Sequence, residues 1–456
     1  MTIQQLYDIY LRHPSIRTDT RQLKQGDLFF ALKGPNFNGN AFAIRAFELG
    51  AAYAIIDEAP DQLSDHLIVV SDVLSTLQEL ALHHRRQFNI PFIAITGSNG
   101  KTTTKELIHA TLSSTYTTYT TQGNLNNHIG IPLTILSVQK DAQFAVIEMG
   151  ANHQKEIEAY CRYTLPTHGI ITNVGKAHLE GFGGPEGVKK GKGELYDFLR
   201  SAQVPAIGSA PAAATASPRH SGTAFVLSDS ADLTQMSRGI PHIVTYGTHD
   251  ADVTGVIATS QQAAAGSPTE ALLKVDITHG AATGPIQTQL VGDYNLPNVL
   301  VAVAVGRHFG VPDAAIRQAI EQYTPSNSRS QLIERDGLHI ILDAYNANPS
   351  SMRAAIENFA RMPGSINQKV LILGAMAELG PESLAEHQGI IDLIGQYSWQ
   401  QVVLVGGDFR HLSHPYLSFA NSKEAGLWLA GVGLKDSYLL IKGSRSMKME
   451  EVLAYT

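Results

Sequence analysis

The stretch Phe92-Ile93-Ala94-Ile95-Thr96-Gly97-Ser98-Asn99-Gly100-Lys101-Thr102-Thr103 constrains the fold of this chain more than any other. An apolar, β-branched run leads into a loop with two glycines and then into a helical pattern, which predicts a buried strand, a turn and a helix. Such a turn aims backbone N–H groups and the positive end of a helix at an anion. Gly97 and Gly100 permit close backbone approach, Lys101 supplies a cation, and the Thr102 hydroxyl suits Mg²⁺. Ile95 stands where the first glycine of G-x-x-x-x-G-K-[ST] belongs. The strand context and the Gly-Lys-Thr run favour a nucleotide site over a glycine turn that merely caps a helix.

The same alternation continues on both sides. Residues 144–150 (FAVIEMG) and 168–175 (HGIITNVG) are apolar runs ending in small or polar residues, and the last third repeats the pattern in HIILDAY, KVLILGAM, QVVLVGG and SYLLIKG. Before residue 88, GDLFFALKG, YAIID and HLIVV alternate with helix-like AFAIRAFELGAA. Strands alternating with helices predict parallel sheets covered on both faces. With 456 residues and ~150 residues per domain, three α/β domains are expected. Asn89-Ile90-Pro91 and the Gly310…Pro312 turn mark boundaries, giving 1–88, 89–312 and 313–456. The Ala/Ser/Pro-rich stretch 201–222 and residues 261–268 read as loops. The His83-His84-Arg85-Arg86 run reads as a solvated last helical turn facing the helix dipole, with an anion site as the alternative.

Composition narrows the class. Thirty-four Lys and Arg against 41 Asp and Glu leave a formal charge of −7, which argues against a nucleic-acid partner. The one cysteine, Cys161, excludes an intrachain disulfide and suits a reducing compartment. No stretch approaches the ~20 apolar residues of a membrane span, and the amino terminus lacks the apolar run of a signal peptide. A cytoplasmic location without an integral membrane segment is expected.

Three further positions invite chemistry. Glu148 ends an apolar strand, where ligands meet an open parallel sheet, and a carboxylate there suits a Mg²⁺ shell; the bland alternative is a surface glutamate. His178 follows GIITNVG and poses the same choice. In VKKGKGELY, Lys189, Lys190, Lys192 and Glu194 read by charge alone as a solvated helix start, although a neutral lysine beside a metal can react with CO₂ to give a carbamate.

The motifs taken together resemble the Mur ligase family. TGSNGKTTT, GNLNNHIGIPLTIL, VIEMGANHQKEI, TNVGKAHLEGFGG, GKGELY, GDYNLPNV, DAYNANPSS and KGSRSMKME stand in the order of that family, and RTDTR…GDLFFALKG…FNGNAF extends the match to nearly the whole chain. The resemblance implies a small N-terminal α/β domain for the UDP end of the substrate, a central P-loop-type parallel-sheet ATPase domain, and a C-terminal Rossmann-like α/β domain closing over ATP. It points to the branch that joins D-Ala-D-Ala to UDP-MurNAc-tripeptide through an acyl phosphate in peptidoglycan biosynthesis. It leaves the third residue of the tripeptide open between meso-diaminopimelate and lysine. A monomer is expected.

By the same resemblance, Thr18, Asp19, Thr20, Arg21 and the Lys33–Asn40 loop, with Lys33, Gly34, Asn38 and Asn40, should hold the UDP end. ATP should lie on Gly97, Ser98, Asn99, Gly100, Lys101, Thr102 and Thr103, with Asn295 and Asn298 on the adenine side. Arg329, Asp343, Tyr345 and Asn346 should close over it. Thr102 and Glu148 should hold one Mg²⁺, with His178 and carbamylated Lys192 on a second. Asn127, or its neighbour Asn126, should approach the reacting carboxylate. Asn348, Ser350, Lys442, Ser444 and Arg445 should shape the dipeptide site. Lys101, Asn127, His178, Lys192 and Arg329 are the expected catalytic set. Four residues depart from the family pattern: Asn38 and Asn40 replace an Asp and a His, Tyr294 replaces a His, and Ala375 replaces an Asp. Amino-acid-adding relatives carry a D-N-P-R signature that is absent here, folate polyglutamylation lacks the UDP-type domain, and a non-catalytic nucleotide switch would not need Lys101, Glu148, His178 and Lys192 together.

Overall fold

The computed structural model describes residues 1–58, 65–201, 204–205, 219–220, 222–258, 272–326, 328–362 and 364–455. Most of the Ala/Ser-rich stretch within 201–222 and all of 261–268 lie outside the described residues. Three sheets of four or more strands follow one another along the described residues. The first has four parallel strands in the order Ile16–Arg17, Leu28–Phe30, Tyr53–Ile56 and Leu67–Val69. The third has six, Gln331–Arg335 lying antiparallel beside Leu338–Asp343, followed by the parallel strands Tyr438–Lys442, Lys369–Gly374, Gln401–Val405 and Leu417–Phe419.

The central sheet has nine strands, and its middle carries the chemistry. Phe92–Thr96 pairs in parallel with Phe144–Glu148 on one side and His168–Ile171 on the other, so the carboxyl ends of all three open at one edge. The helix Lys101–Ser113, which follows the glycine loop, packs on the helix Leu296–His308. The latter is apolar nearly all round, with Val299 to Val305 buried without a break, as expected of a helix inside a domain. One edge departs from the all-parallel expectation. Val253–Ile257, Leu272–His279 and Ile286–Val291 form antiparallel pairs. Their physical signature is the alternation LLKVDITH, which buries one face only.

The helix Asp313–Gln322 sends Ile316 and Ile320 into the same core as Ile93 and Leu107. One local expectation is corrected. Within the His83–Arg86 run only Arg86 is exposed, and His84 and Arg85 are buried, so the run as a whole is not a solvated turn. Arg85 is 1% exposed; its guanidinium donates to the carbonyls of Thr164, Leu165 and Phe88 at 2.8–2.9 Å and stacks on Phe92, 3.8 Å from the ring centre. Thr164 and Leu165 end the helix Glu156–Thr164, so a cation sits at the negative end of a helix dipole. His84 joins Tyr7 to the carbonyl of Val138. The basic run is thus a seam between the first unit and the central one. No described helix is long and apolar enough to cross a membrane.

Candidate active site

The glycine loop is rigid for reasons visible atom by atom. Gly97 has φ +140°, and a Cβ there would stand 2.0 Å from Thr172 Oγ1; Gly100 has φ +77°, and its Cβ would meet Asn298 Oδ1 at 2.8 Å. Only glycine fits both. The Asn99 amide donates to Asn173 Oδ1 (3.0 Å) and Ser98 Oγ donates to the Gly175 carbonyl (2.9 Å). Lys101 curls back over the loop, its Nζ 2.7 Å from the Gly97 carbonyl. Burial lowers the Lys101 pKa, Glu148 opposes the shift, and Arg329 adds to it.

Behind the loop, Thr102 Oγ1 donates to Glu148 Oε2 and Asn126 Nδ2 donates to Glu148 Oε1, both at 2.8 Å. The Glu148 amide is held by Thr121 Oγ1 at 3.0 Å. A hydroxyl and a carboxylate side by side at the mouth of a phosphate loop are hard oxygen donors suited to Mg²⁺. Asn126 and Asn127 are separated by these bonds: Asn127 Oδ1 instead accepts the amides of Ile129 and Gly130 at the start of the helix Gly130–Ser137. On the far side Asn298 accepts from Thr104 Oγ1 (3.0 Å) and donates to Asn295 Oδ1 (2.8 Å), so both asparagines are buried and oriented.

These groups line one wall of a cavity of about 770 Å³ whose other wall comes from the C-terminal unit. Arg329 stacks on Tyr345, 3.6 Å from guanidinium carbon to ring centre. Lys442 Nζ lies 2.5 Å from Asp343 Oδ2 and 3.3 Å from the Asn346 carbonyl. Asn348 Nδ2 reaches across to Asn99 Oδ1 at 2.7 Å, and Ser350 Oγ accepts the Lys176 amide at 3.1 Å. Tyr294 also lines the cavity, its hydroxyl 3.1 Å from Ser330 Oγ. Thr103, Asn127 and His178 also lie on the wall.

Other expected residues lie elsewhere. Ser444 is buried beneath the wall, accepting from the Ala377 amide, while Arg445 points away to Glu450. Ala375 is buried in the core, its carbonyl accepting the Ser444 amide. Lys192 and Glu194 are buried, not solvated, because they sit on the inward stripe of the helix Pro185–Arg200. Lys192 Nζ donates to the Ala151 carbonyl (3.0 Å) above the Phe182 ring. Burial and the nearby Lys101 charge hold its pKa well below the usual lysine value. Glu194 accepts the amides of Lys155 (2.5 Å) and Glu158 (3.0 Å), capping the helix whose other end Arg85 caps. His178, which unlike these does line the cavity, has φ +51° and is paired through Nδ1 with Glu378, and that contact holds the Glu378 carboxyl below its usual range. Lys192 is therefore not on the cavity wall, and the described residues contain no cluster of three His, Cys, Asp or Glu side chains placed to hold a metal.

The N-terminal candidates form a second group, outside that cavity. Arg21 is paired with Asp19 at 2.6 Å and is largely exposed, in the turn that also holds Thr18 and Thr20. Lys33 and Gly34 pair with Phe37 and Asn38 in a short hairpin. Asn38 donates to Glu58 and Asn40 to Asp57, both at 2.8 Å, and Lys33 Nζ is 3.1 Å from Asp57. Burial pushes the Asp57 carboxyl up, but Asn40, Lys33 and the Val73 amide together hold it below its usual range. Asp57, Glu58, Asn173 and Glu378 were not flagged by sequence. Only Glu378 carries a local signal, in GAMAELG.

A phosphate loop, a strand-end carboxylate and a cavity closed by a third α/β unit define a nucleotide-using enzyme. Family models match in chain order: the Mur ligase family catalytic domain over residues 14–95, the Mur ligase middle domain over 95–306, and the Mur ligase glutamate ligase domain over 328–425. The chain belongs to the Mur ligase family. It is 32% identical to the UDP-N-acetylmuramoyl-tripeptide–D-alanyl-D-alanine ligase of Bacillus subtilis (strain 168), over 96% of this chain and 92% of that one. It is also 32% identical to the Escherichia coli (strain K12) ligase of the same name, over 99% and 97%. A crystal structure of MurF from Acinetobacter baumannii superposes with a TM-score of 0.82 at 30% identity, covering 99% of this chain and 98% of that one. A Thermotoga maritima MurF ligase in complex with ADP gives 0.81 at 25% identity, covering 98% and 97%.

Proposed function

We propose that this chain joins D-Ala-D-Ala to UDP-MurNAc-tripeptide at the expense of ATP, giving the pentapeptide precursor, ADP and phosphate. The observation that carries this reading is the single cavity in which Lys101 and the Thr102–Glu148–Asn126 corner face Arg329, Asn348 and Ser350. Amide formation from a carboxylate in water is uphill, so the carboxylate must first be activated. The terminal carboxylate oxygen of the tripeptide attacks the γ-phosphorus, the bond to the β–γ bridging oxygen breaks, and ADP leaves. The amine of D-Ala-D-Ala then attacks the acyl carbon, loses a proton, and phosphate leaves.

These steps need no covalent nucleophile from the protein; its contribution is position and charge. Lys101 and Arg329 offset the repulsion between two approaching anions. Asn126, aimed at Glu148, is better placed than Asn127 to approach the reacting carboxylate. Asn295 and Asn298 would orient the base, and Arg329 on Tyr345 would close over the nucleotide. Asn348 and Ser350 would shape the dipeptide end, with Ser444 supporting them from below. Thr102 and Glu148 would hold Mg²⁺, which when bound supplies neutralisation of the triphosphate charge. We also propose that Lys192 is carbamylated: its buried amine has one carbonyl partner and lies in the helix just behind the wall. The second-ion set with His178 is not assembled in the present arrangement, where Glu378 occupies His178.

The Lys33, Asn38 and Asn40 hairpin, with Thr18 to Arg21, would take the UDP end. The functional units would divide near residue 88 and, given the packing of Asp313–Gln322, after 322 instead of at 312. A cytoplasmic monomer fits the proposed water-soluble substrates. The test is mass spectrometry of the product: pentapeptide formed only with ATP, tripeptide and D-Ala-D-Ala together supports the reading, and ATP binding without any ligation contradicts it.

A further inference from the structure

Near the start of the helix Lys101–Ser113, Thr102, Thr104 and Lys105 reach out to other elements. Thr102 holds Glu148 and Thr104 holds Asn298, and both partners line the cavity. Lys105 is 1% exposed and does not line it. Its Nζ donates to the Thr121 carbonyl and to Glu106 Oε1, both at 2.6 Å. A lysine facing the cavity would neutralise phosphate. One turned away from it and committed to a main-chain carbonyl instead holds that carbonyl in place.

Thr121 is where the sheet side of the cation corner is hung. It follows the strand Thr118–Thr120, which pairs with Phe144–Glu148 and ends the sheet among the described strands. The end of so short an edge strand depends on ties beyond the ladder. Thr121 Oγ1 accepts the Glu148 amide at 3.0 Å, and the Thr121 amide donates to the Val146 carbonyl at 3.1 Å. Further along the same segment, Asn126 Nδ2 holds Glu148 Oε1 at 2.8 Å, and the Asn126 carbonyl accepts the Gly150 amide at 2.7 Å. Lys105 joins this segment to the helix that bears Thr102.

We infer that Lys105 is a positioning residue for the divalent-cation corner: by pinning the Thr121 carbonyl it fixes the spacing between Thr102 Oγ1 on its own helix and Glu148 on the sheet. This inference rests on the reading of Thr102 and Glu148 as Mg²⁺ donors. Without the tie, the edge strand and the segment leading to Asn126 can shift against the helix. The glycine loop, held separately by Asn173 and Gly175, keeps its place. The phosphates therefore keep their seat while the cation loses its donor geometry. Losing a group that orients a metal's donors costs roughly 10–100-fold in metal affinity. Glu148 retains Thr121 Oγ1 and Asn126, so the lower end of that range, about tenfold, applies.

The experiment follows ADP binding to the full chain by calorimetry across a Mg²⁺ titration, for the wild type, Lys105→Met, Thr121→Val and the double variant. In Mg²⁺-free buffer, Lys105→Met should bind ADP within about twofold of the wild type, whereas its half-saturating Mg²⁺ should rise about tenfold. Thr121→Val removes only the hydroxyl that accepts the Glu148 amide and should raise the Mg²⁺ requirement by less. The double variant should be no worse than Lys105→Met alone, because both changes act through one point. Should Lys105→Met yield no folded protein, Lys105→Gln, which keeps a donor of shorter reach, is titrated in its place with the same shift expected. An unchanged Mg²⁺ requirement, an equal loss of ADP affinity with and without Mg²⁺, or additive shifts in the double variant overturn the inference and leave the ligase reading standing. ADP binding by the wild type that does not respond to Mg²⁺ overturns the reading of Thr102 and Glu148, and this inference with it.

Discussion

The two walls of the cavity are built on different principles. The central wall is locked from behind: Gly97 and Gly100 admit no side chain, Glu148 is held at both oxygens, and Asn295 and Asn298 bond each other inside the core. The contacts that join it to the C-terminal wall include Asn348 to Asn99, Tyr294 to Ser330 and the Asp293 amide to Asn358, with the more exposed pairs Lys176 to Glu386 and His178 to Glu378 at the rim. Buried bonds within one unit preorganise the phosphate site, whereas half-exposed bonds between units can be made and broken with the substrates. The difference teaches where substitution is fatal and where it only retunes.

Lys192→Ala should give the largest effect, abolishing ligation while leaving ATP binding largely intact. A small added carboxylate should restore part of the activity, and full activity of the variant without rescue would remove the carbamate from the account. Lys101→Ala should follow, with kcat falling on the order of 10²-fold or more; steady-state kinetics with an unchanged rate would count against the loop. Gly97→Ala should cost on the order of 3 kcal/mol, because a Cβ meets Thr172 in a backbone conformation side chains avoid. Denaturant melts that match the wild type would show the loop to be softer than described.

Acid should act on the central unit first. His168 is buried beside His308, and burial pushes its pKa down to about 3. The unfolded chain, with an ordinary value near 6.5, binds the proton the folded chain refuses, so stability falls as pH drops from about 6.5 toward 3. His168→Phe should flatten that limb in melts across the range. The smallest effect should come from the rim. Glu386→Gln removes the partner of a half-exposed Lys176 and should change stability by under about 1 kcal/mol, with any effect appearing in substrate KM.

What could be read from the sequence follows the same division. The glycine loop, Glu148 and the three α/β units were legible because strand, turn and helix patterns are local. Arg85 was not, since two of its three carbonyl partners are 79 and 80 residues away, and charge alone suggested a solvated turn. Lys192 and Glu194 looked exposed for the same reason; their burial depends on which helix face turns inward. The GAMAELG signal of Glu378 does not disclose its partner, because it meets His178 only when two units come together, 200 residues apart. Arg445, expected at the dipeptide site, turns outward because Glu450 is a nearer partner.

The most direct test of the account is the fate of a labelled oxygen. With the tripeptide's terminal carboxylate enriched in ¹⁸O, the chain should release phosphate only when ATP, tripeptide and D-Ala-D-Ala are all present, and that phosphate should carry one ¹⁸O from the carboxylate. Phosphate released without the dipeptide acceptor at full rate, or free of label, would contradict activation of the carboxylate by phosphoryl transfer.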